Sequence, residues 1–200
     1  MLDNFKPYSS DPFTDNYGAI NIFNALHQKN GQRYLKYRSD WEKAGQDWLP
    51  EFPLNLVFDL VDQCNLACPQ CLRAPDLAKD YKDFILTSKY LDKKIIKKIL
   101  KEAGEYNLPS VNIGGSGECL LHPDFVEICE DIMNINPCEF RIITNGILLK
   151  KDISNALIDL NVDIISVSID ATTPEIFKIT RGKAHRFEDV VKNTINFSKI

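Results

Sequence analysis

CNLACPQC, residues 64–71, places three of the chain's six cysteines within eight positions, at spacings of four and three. It follows directly on LNLVFDLVDQ (54–63), an apolar run that reads as a buried strand. Three thiols at the end of a strand admit three readings. They are small core residues, a zinc site, or the ligands of an iron–sulfur cluster. Structural zinc takes four ligands, usually as two pairs of cysteine or histidine, and no second Cys-x-x-Cys pair is present. Cys119 or His122 on a neighbouring loop is the candidate fourth ligand. An iron–sulfur cluster is held by thiolates, and three thiolates on a cube of four irons leave one iron open. An open position marks a catalytic rather than a structural metal site.

Outward from this loop the pattern alternates between strands and helices. Downstream, Leu91, Ile95, Ile96, Ile99, Leu100 and Ala103 mark one side of a helix that Ser88 can cap, with the lysines of KKIIKKILK (93–101) on its solvated side. SVNIGG (110–115) is a second strand, and Pro123 or Asp124 opens a helix with Phe125, Val126, Ile128, Cys129 and Ile132 inward. EFRIITNG (139–146) is a third strand with a turn, followed by a short helix around Ile153, Leu157 and Leu160. VDIISVSID (162–170) is a fourth strand, then Thr173-Pro174 starts a brief helix and Phe187, Val190, Val191, Thr194 and Ile195 mark a last one. Repeated strand–helix units imply an α/β fold with a parallel sheet. Ligands bind beyond the carboxyl ends of such strands, where CNLACPQC, GGSGE, TNG and SID all fall.

Upstream, residues 1–53 read as an extension. Residues 1–19 form a polar arm and 20–29 a short helix. Tyr34, Tyr37, Trp41, Ala44 and Trp48 then recur at helical steps until Pro50, a stripe expected to be packed on the main domain. Residues 54–200 read as the main domain. The chain is 44% hydrophobic and 26% charged, enough for a core, and its net charge of −4 gives no case for nucleic acid or an anionic membrane. No basic start followed by an apolar stretch opens it, and no run nears the ~20 apolar residues of a membrane span. The expected compartment is the cytoplasm, where cysteines serve metals or catalysis rather than disulfides.

Taken together, these motifs resemble the radical S-adenosylmethionine (SAM) enzymes. CNLACPQC resembles that family's Cys-x3-Cys-x2-Cys signature. GGSGECLLHPDF (114–125) resembles its glycine–glutamate motif, with Cys119 where proline is usual. ITNGILL (143–149) resembles its third-strand turn. VSIDATTPEIFKITRG (167–182) resembles the fourth-strand segment of the subgroup with sulfatase maturases, the molybdenum-cofactor cyclase and peptide maturases. The resemblance implies a partial (β/α)6 barrel, of which about four units are present. The core is then expected to be incomplete at its C-terminus, where NTINFSKI (193–200) ends inside a helix.

The resemblance further implies a [4Fe–4S] cluster on Cys64, Cys68 and Cys71, with SAM chelating the fourth iron. Gly115, Gly117 and Glu118 would accompany the SAM amino group, Ser168 and Asn145 would face its ribose or carboxylate, and Arg181 could neutralise the carboxylate or form a surface ion pair. Gln70 stands where the family often has an aromatic or apolar residue. The implied activity is reductive cleavage of SAM to a 5′-deoxyadenosyl radical that abstracts hydrogen from a peptide or a small molecule. An electron donor such as flavodoxin or ferredoxin would be the partner. The reading from a different class is a non-catalytic, zinc-stabilised binding module.

Overall fold

The computed structural model describes residues 16–73 and 90–200. The polar arm up to residue 15 and the cap at Ser88 lie outside them. The chain divides into two compact units after Leu54.

The first unit contains helices α1 (Asn16–Asn30) and α2 (Gln32–Ala44), so the last residues assigned to the arm are helical. Gly31, with φ of 56°, makes the tight turn between them. Tyr34 and Tyr37 are buried, and the Phe23 ring of α1 lies 5.5 Å from that of Tyr34. The stripe fades along its length. Trp41 is 39% exposed, and Trp48 lies beyond the helix, which ends at Gly45 rather than at Pro50.

The second unit is built on a parallel sheet in the order β1-β2-β3-β4 (Asn55–Phe58, Ser110–Ile113, Glu139–Thr144, Ile164–Val167). Helices α3 (Lys93–Glu105), α4 (Phe125–Asn134) and α5 (Lys151–Asp159) lie in the crossovers, and α6 (Pro174–Arg181) and α7 (Phe187–Phe197) follow β4. Asp92 caps α3 by accepting from the Lys94 amide. Thr173 caps α6, with Pro174 in its first turn.

The register explains where the core sits. Phe58, Ile113, Ile142 and Ile165 align across the sheet, as do Val111 and Phe140 one pair earlier. Side chains alternate along a strand, so these residues share one face. That face is apolar, and over β2 and β3 it is closed: Val111, Ile113, Phe140 and Ile142 are fully buried, as are Ile96 of α3 and Ile128, Cys129 and Ile132 of α4, whereas β4 is half-buried along its length. The opposite face carries Val57, Asn112, Arg141, Ile143 and Ser166, and Val57 is 58% exposed.

Two helical faces are narrower than the sequence pattern predicts. Ile95 and Ile195 are 50% and 46% exposed, because one 3.6-residue repeat turns them off the stripe that meets the sheet. The lysine face of α3 is also less free than a solvated stripe. Lys93 and Lys97 pair with Asp124 and Asp131 at 3.5 and 3.4 Å, since α3 and α4 lie side by side.

Candidate functional site

The four strand ends border one pocket of about 270 Å³, all of it within the second unit. Cys64, Cys68, Gln70 and Cys71 come from the loop after β1, and Gly115, Gly117 and Glu118 from the loop after β2. Asn145 follows β3, Ser168 follows β4, and Arg181 ends α6. Every site residue expected from the sequence therefore reaches the same cavity wall.

Buried anchors hold the cysteine loop in place. Leu66 and Cys68 join Ile147, Phe177 and Val190 in a small core of their own, so α6 and α7 brace the loop. The Cys71 amide donates to the Cys68 carbonyl at 3.0 Å, closing the turn that spaces those two thiols. Gly182 ends α6 with φ of 78°, and a Cβ there would overlap the Ala67 carbonyl. Glycine thus permits both the left-handed cap and the close approach of helix and loop. Lys183 adds a hydrogen bond to the Asn65 carbonyl at 2.8 Å.

The second loop is tied to the first. A Cβ on Gly117 would overlap the Val61 carbonyl, and the Glu118 amide donates to the Gln63 carbonyl at 2.8 Å. Arg73 spans both loops. It donates from Nε to the Ser116 carbonyl at 2.6 Å and pairs with the buried Asp62 carboxylate. Asp59 accepts from both the amide and the hydroxyl of Ser116, at 3.1 and 3.0 Å.

Glu118 is 2% exposed, yet its carboxylate is well satisfied. Thr144 Oγ1 and the Leu120 amide donate to Oε1 at 2.6 and 3.1 Å, and the Asn145 amide donates to Oε2 at 2.7 Å. Burial nevertheless pushes its carboxyl above the ordinary glutamate value, with these donors opposing the shift. Asn145 continues the chain of contacts. Its Nδ2 lies 2.6 Å from Asn65 Oδ1 and 3.6 Å from Cys64 Sγ, while its Oδ1 accepts from the Ile147 amide at 3.0 Å. Asn145 lines the pocket, but these bonds turn its amide group to the cysteine loop and its own turn. The Ser168 amide donates to the Thr144 carbonyl at 2.9 Å, which fixes the fourth strand end.

Arg181 is neither a free pocket cation nor a simple surface partner. Its Nη2 pairs with Asp170, its Nη1 lies 3.8 Å from Cys68 Sγ, and its buried Nε has no hydrogen-bond partner. Asn65, Thr144 and Arg73 belong to the same framework and escape the sequence reading, because their partners lie across loops and follow no period.

The two candidate fourth zinc ligands point elsewhere. Cys119 donates to the Ile143 carbonyl at 3.3 Å, and burial with the neighbouring Glu118 charge pushes its thiol well up. His122 faces the Leu91 carbonyl and the Asp124 amide through its two ring nitrogens, at 3.0 and 3.1 Å. Among the described residues no three Cys, His, Asp or Glu side chains sit close enough to share one metal ion. The three thiols instead stand around a cavity, and a multi-iron cluster spreads its thiolates farther than a single ion does. Burial also pushes up the Cys64 thiol and, more strongly, that of Cys129.

Accessibility and these shifts order thiol reactivity. In cluster-free protein, iodoacetamide should modify the half-buried Cys71 and Cys64 first. Cys119 and Cys129 should react at least ~10-fold more slowly, because each unit of upward pKa shift cuts the thiolate fraction about tenfold. Mass spectrometry of the timed alkylation reads the order directly. Equal rates at Cys129 and Cys71 would contradict the burial described here.

The chain matches the family model described as the radical SAM superfamily over residues 59–200. It is 34% identical to the GTP 3′,8-cyclase of Limosilactobacillus fermentum over 125 residues, 62% of this chain and 36% of that protein. It is 30% identical to the probable GTP 3′,8-cyclase of Methanocaldococcus jannaschii over 146 residues, 72% of this chain and 46% of that protein. The chain thus spans less than half the length of these relatives. Among solved structures, Streptococcus suis SuiB bound to the precursor peptide SuiA aligns with a TM-score of 0.61 at 20% identity, covering 98% of this chain and 39% of SuiB. BtrN in complex with AdoMet and 2-DOIA aligns with a TM-score of 0.52 at 16% identity, covering 70% of this chain and 56% of BtrN. The fold is accordingly a partial barrel of this superfamily's α/β type, with N-terminal helices before it. The pocket suits the cofactors of that superfamily. Its soft donors are three thiols from one loop, and the unpartnered Nε of Arg181 calls for an acceptor beside them.

Proposed function

Because the chain belongs to the radical SAM superfamily, we propose that it forms the catalytic core of an enzyme that cleaves SAM reductively and uses the product to take hydrogen from a peptide or small-molecule substrate. Its cofactors are a [4Fe–4S] cluster and SAM. The observation that carries the proposal is the meeting of Cys64, Cys68 and Cys71 with Gly115, Gly117, Glu118 and Ser168 around one pocket at the strand ends.

In this reading Cys64, Cys68 and Cys71 hold the cluster and leave one iron for SAM. When bound, the cluster supplies the electron that breaks a sulfur–carbon bond of SAM. The protein orients and shields this chemistry. Gly115 and Gly117 let the second loop pack tightly against Asp59 and the Val61 carbonyl, which holds its backbone at the pocket wall where SAM's amino end would lie. Glu118 positions Asn145 and Thr144, and its Oε2 accepts one amide, so a lone pair remains for an ammonium group. Asn145 orients Cys64, and Ser168 presents a hydroxyl from the fourth strand end. Leu66, Phe177 and Val190 exclude water behind the cysteine loop.

A cluster with an open iron needs a reducing compartment and a low-potential electron donor. We therefore assign the protein to the cytoplasm, with a flavodoxin or ferredoxin as reductant. No helix among the described residues is long and apolar enough to cross a membrane.

The test is anaerobic reconstitution with iron and sulfide, followed by dithionite and SAM. The expected result is brown protein that releases 5′-deoxyadenosine and methionine when reduced and not otherwise. Protein that takes up zinc stoichiometrically and refuses iron and sulfide would instead establish the zinc-stabilised binding module.

A further inference from the structure

We propose that Arg181 sets the reduction potential of the cluster through the Cys68 sulfur, with Asp170 as the opposing charge. The proposal rests on the assignment of Cys68 as a cluster ligand. Arg181 Nη1 donates toward Cys68 Sγ at 3.8 Å across 113 residues of sequence. The guanidinium is largely sheltered, its side chain being 13% exposed, so its charge is weakly screened. The position is enforced rather than incidental. The neighbouring Gly182 brings the end of α6 against the Ala67 carbonyl, one residue from Cys68. On the far side of the guanidinium, Asp170 holds a left-handed backbone with φ of 51° and pairs with Nη2. Asp and Asn adopt this conformation more readily than other non-glycine residues.

The physical consequence has a definite sign. Reduction adds one electron from the donor to the cluster, and the cluster with its thiolates becomes one unit more negative. A cation that donates to a ligand sulfur favours the more negative form, so it raises the potential. Asp170 weakens that field from the other side and lowers the potential. Arg181 is thus a positioning residue for the cluster's charge.

The experiment is a dithionite titration of the full chain, anaerobically reconstituted, without SAM, followed by the electron paramagnetic resonance of the reduced cluster. Iron and sulfide contents are measured alongside. Arg181→Gln should keep its iron and become harder to reduce by about tenfold in the equilibrium constant, ~59 mV for a one-electron couple. Arg181→Lys should fall between Gln and wild type. Asp170→Asn keeps the backbone preference of the site and should move the midpoint the opposite way, to higher potential. Unchanged midpoints in Arg181→Gln and Asp170→Asn would overturn the proposal while leaving the cluster intact. If Arg181→Gln cannot hold a cluster, Asp170→Asn decides, and a midpoint that is not raised overturns the proposal. Wild-type protein that takes up no iron would overturn the cluster assignment itself, before any variant is compared.

Discussion

Alanine at any one of Cys64, Cys68 or Cys71 is expected to abolish cluster assembly, leaving reconstituted protein colourless and essentially free of iron and sulfide. In the proposed assignment each thiolate would be a ligand to the cluster, and a cube already lacking one protein ligand would have none to spare. The three positions are not equivalent in apo stability. Cys68 sits in the small core with Leu66, Phe177 and Val190, whereas Cys64 and Cys71 are half-buried at the rim. The Cys68 variant should therefore lose about 1 kcal/mol more than the others in urea unfolding of the cluster-free protein, the scale of a small buried group removed. Cys119→Ala is the decisive companion. Its thiol is buried against the Ile143 carbonyl and outside the pocket, so that variant should keep full iron and sulfide. Equal loss of iron in Cys119→Ala would mean that four thiolates bind the metal and no iron stands open.

Glu118→Ala should produce the largest loss of fold stability among the pocket variants. Removing the carboxylate leaves Thr144 Oγ1 and the amides of Asn145 and Leu120 without their acceptor in a buried place. A buried donor left unsatisfied costs about 1–3 kcal/mol, so the expected loss is about 3–5 kcal/mol in urea unfolding. Glu118→Gln should lie between, since its oxygen satisfies one side and its NH2 opposes a donor on the other. SAM affinity of whatever cluster-bearing protein survives should fall about tenfold or more, as for a lost hydrogen bond to a charged group. A stability loss under ~1 kcal/mol in Glu118→Ala would show that the carboxylate does not hold the strand ends together.

The alternation of strand and helix was legible because the buried face of the sheet leaves a periodic record: Phe58, Ile113 and Ile142 stand in register, and the stripes of α3 and α4 meet them. The pocket residues were legible for a different reason. Strand ends in a parallel sheet converge by topology, so Cys64, Gly115, Asn145 and Ser168 needed no pairwise signal to be placed together. What the sequence did not reveal is the wiring behind them. Arg73 bonds Ser116 and Asp62, and Asn145 reaches Asn65, by side-chain paths that depend on loop conformation. Arg181 is instructive in the same way. Its charge was readable from the sequence, but its neighbours Asp170 and Cys68 follow from the angle at which α6 ends. Element boundaries also shortened: β1 spans Asn55–Phe58 of the longer apolar run, because Gly114 and the following loop leave Leu60 and Val61 without a ladder partner on β2.

The contact path Glu118–Asn145–Cys64 links the third strand to the metal loop without any ligand on that strand. A group that binds the folded chain and not the unfolded one shifts the folding equilibrium by mass action. Through this path the gain is felt at the ends of β2 and β3 as well as at the thiols. The cluster-free chain should open there more often, and a protease that cuts open forms samples that population. A chain that holds a cluster on these thiols as proposed is therefore expected to outlast the cluster-free chain under proteolysis.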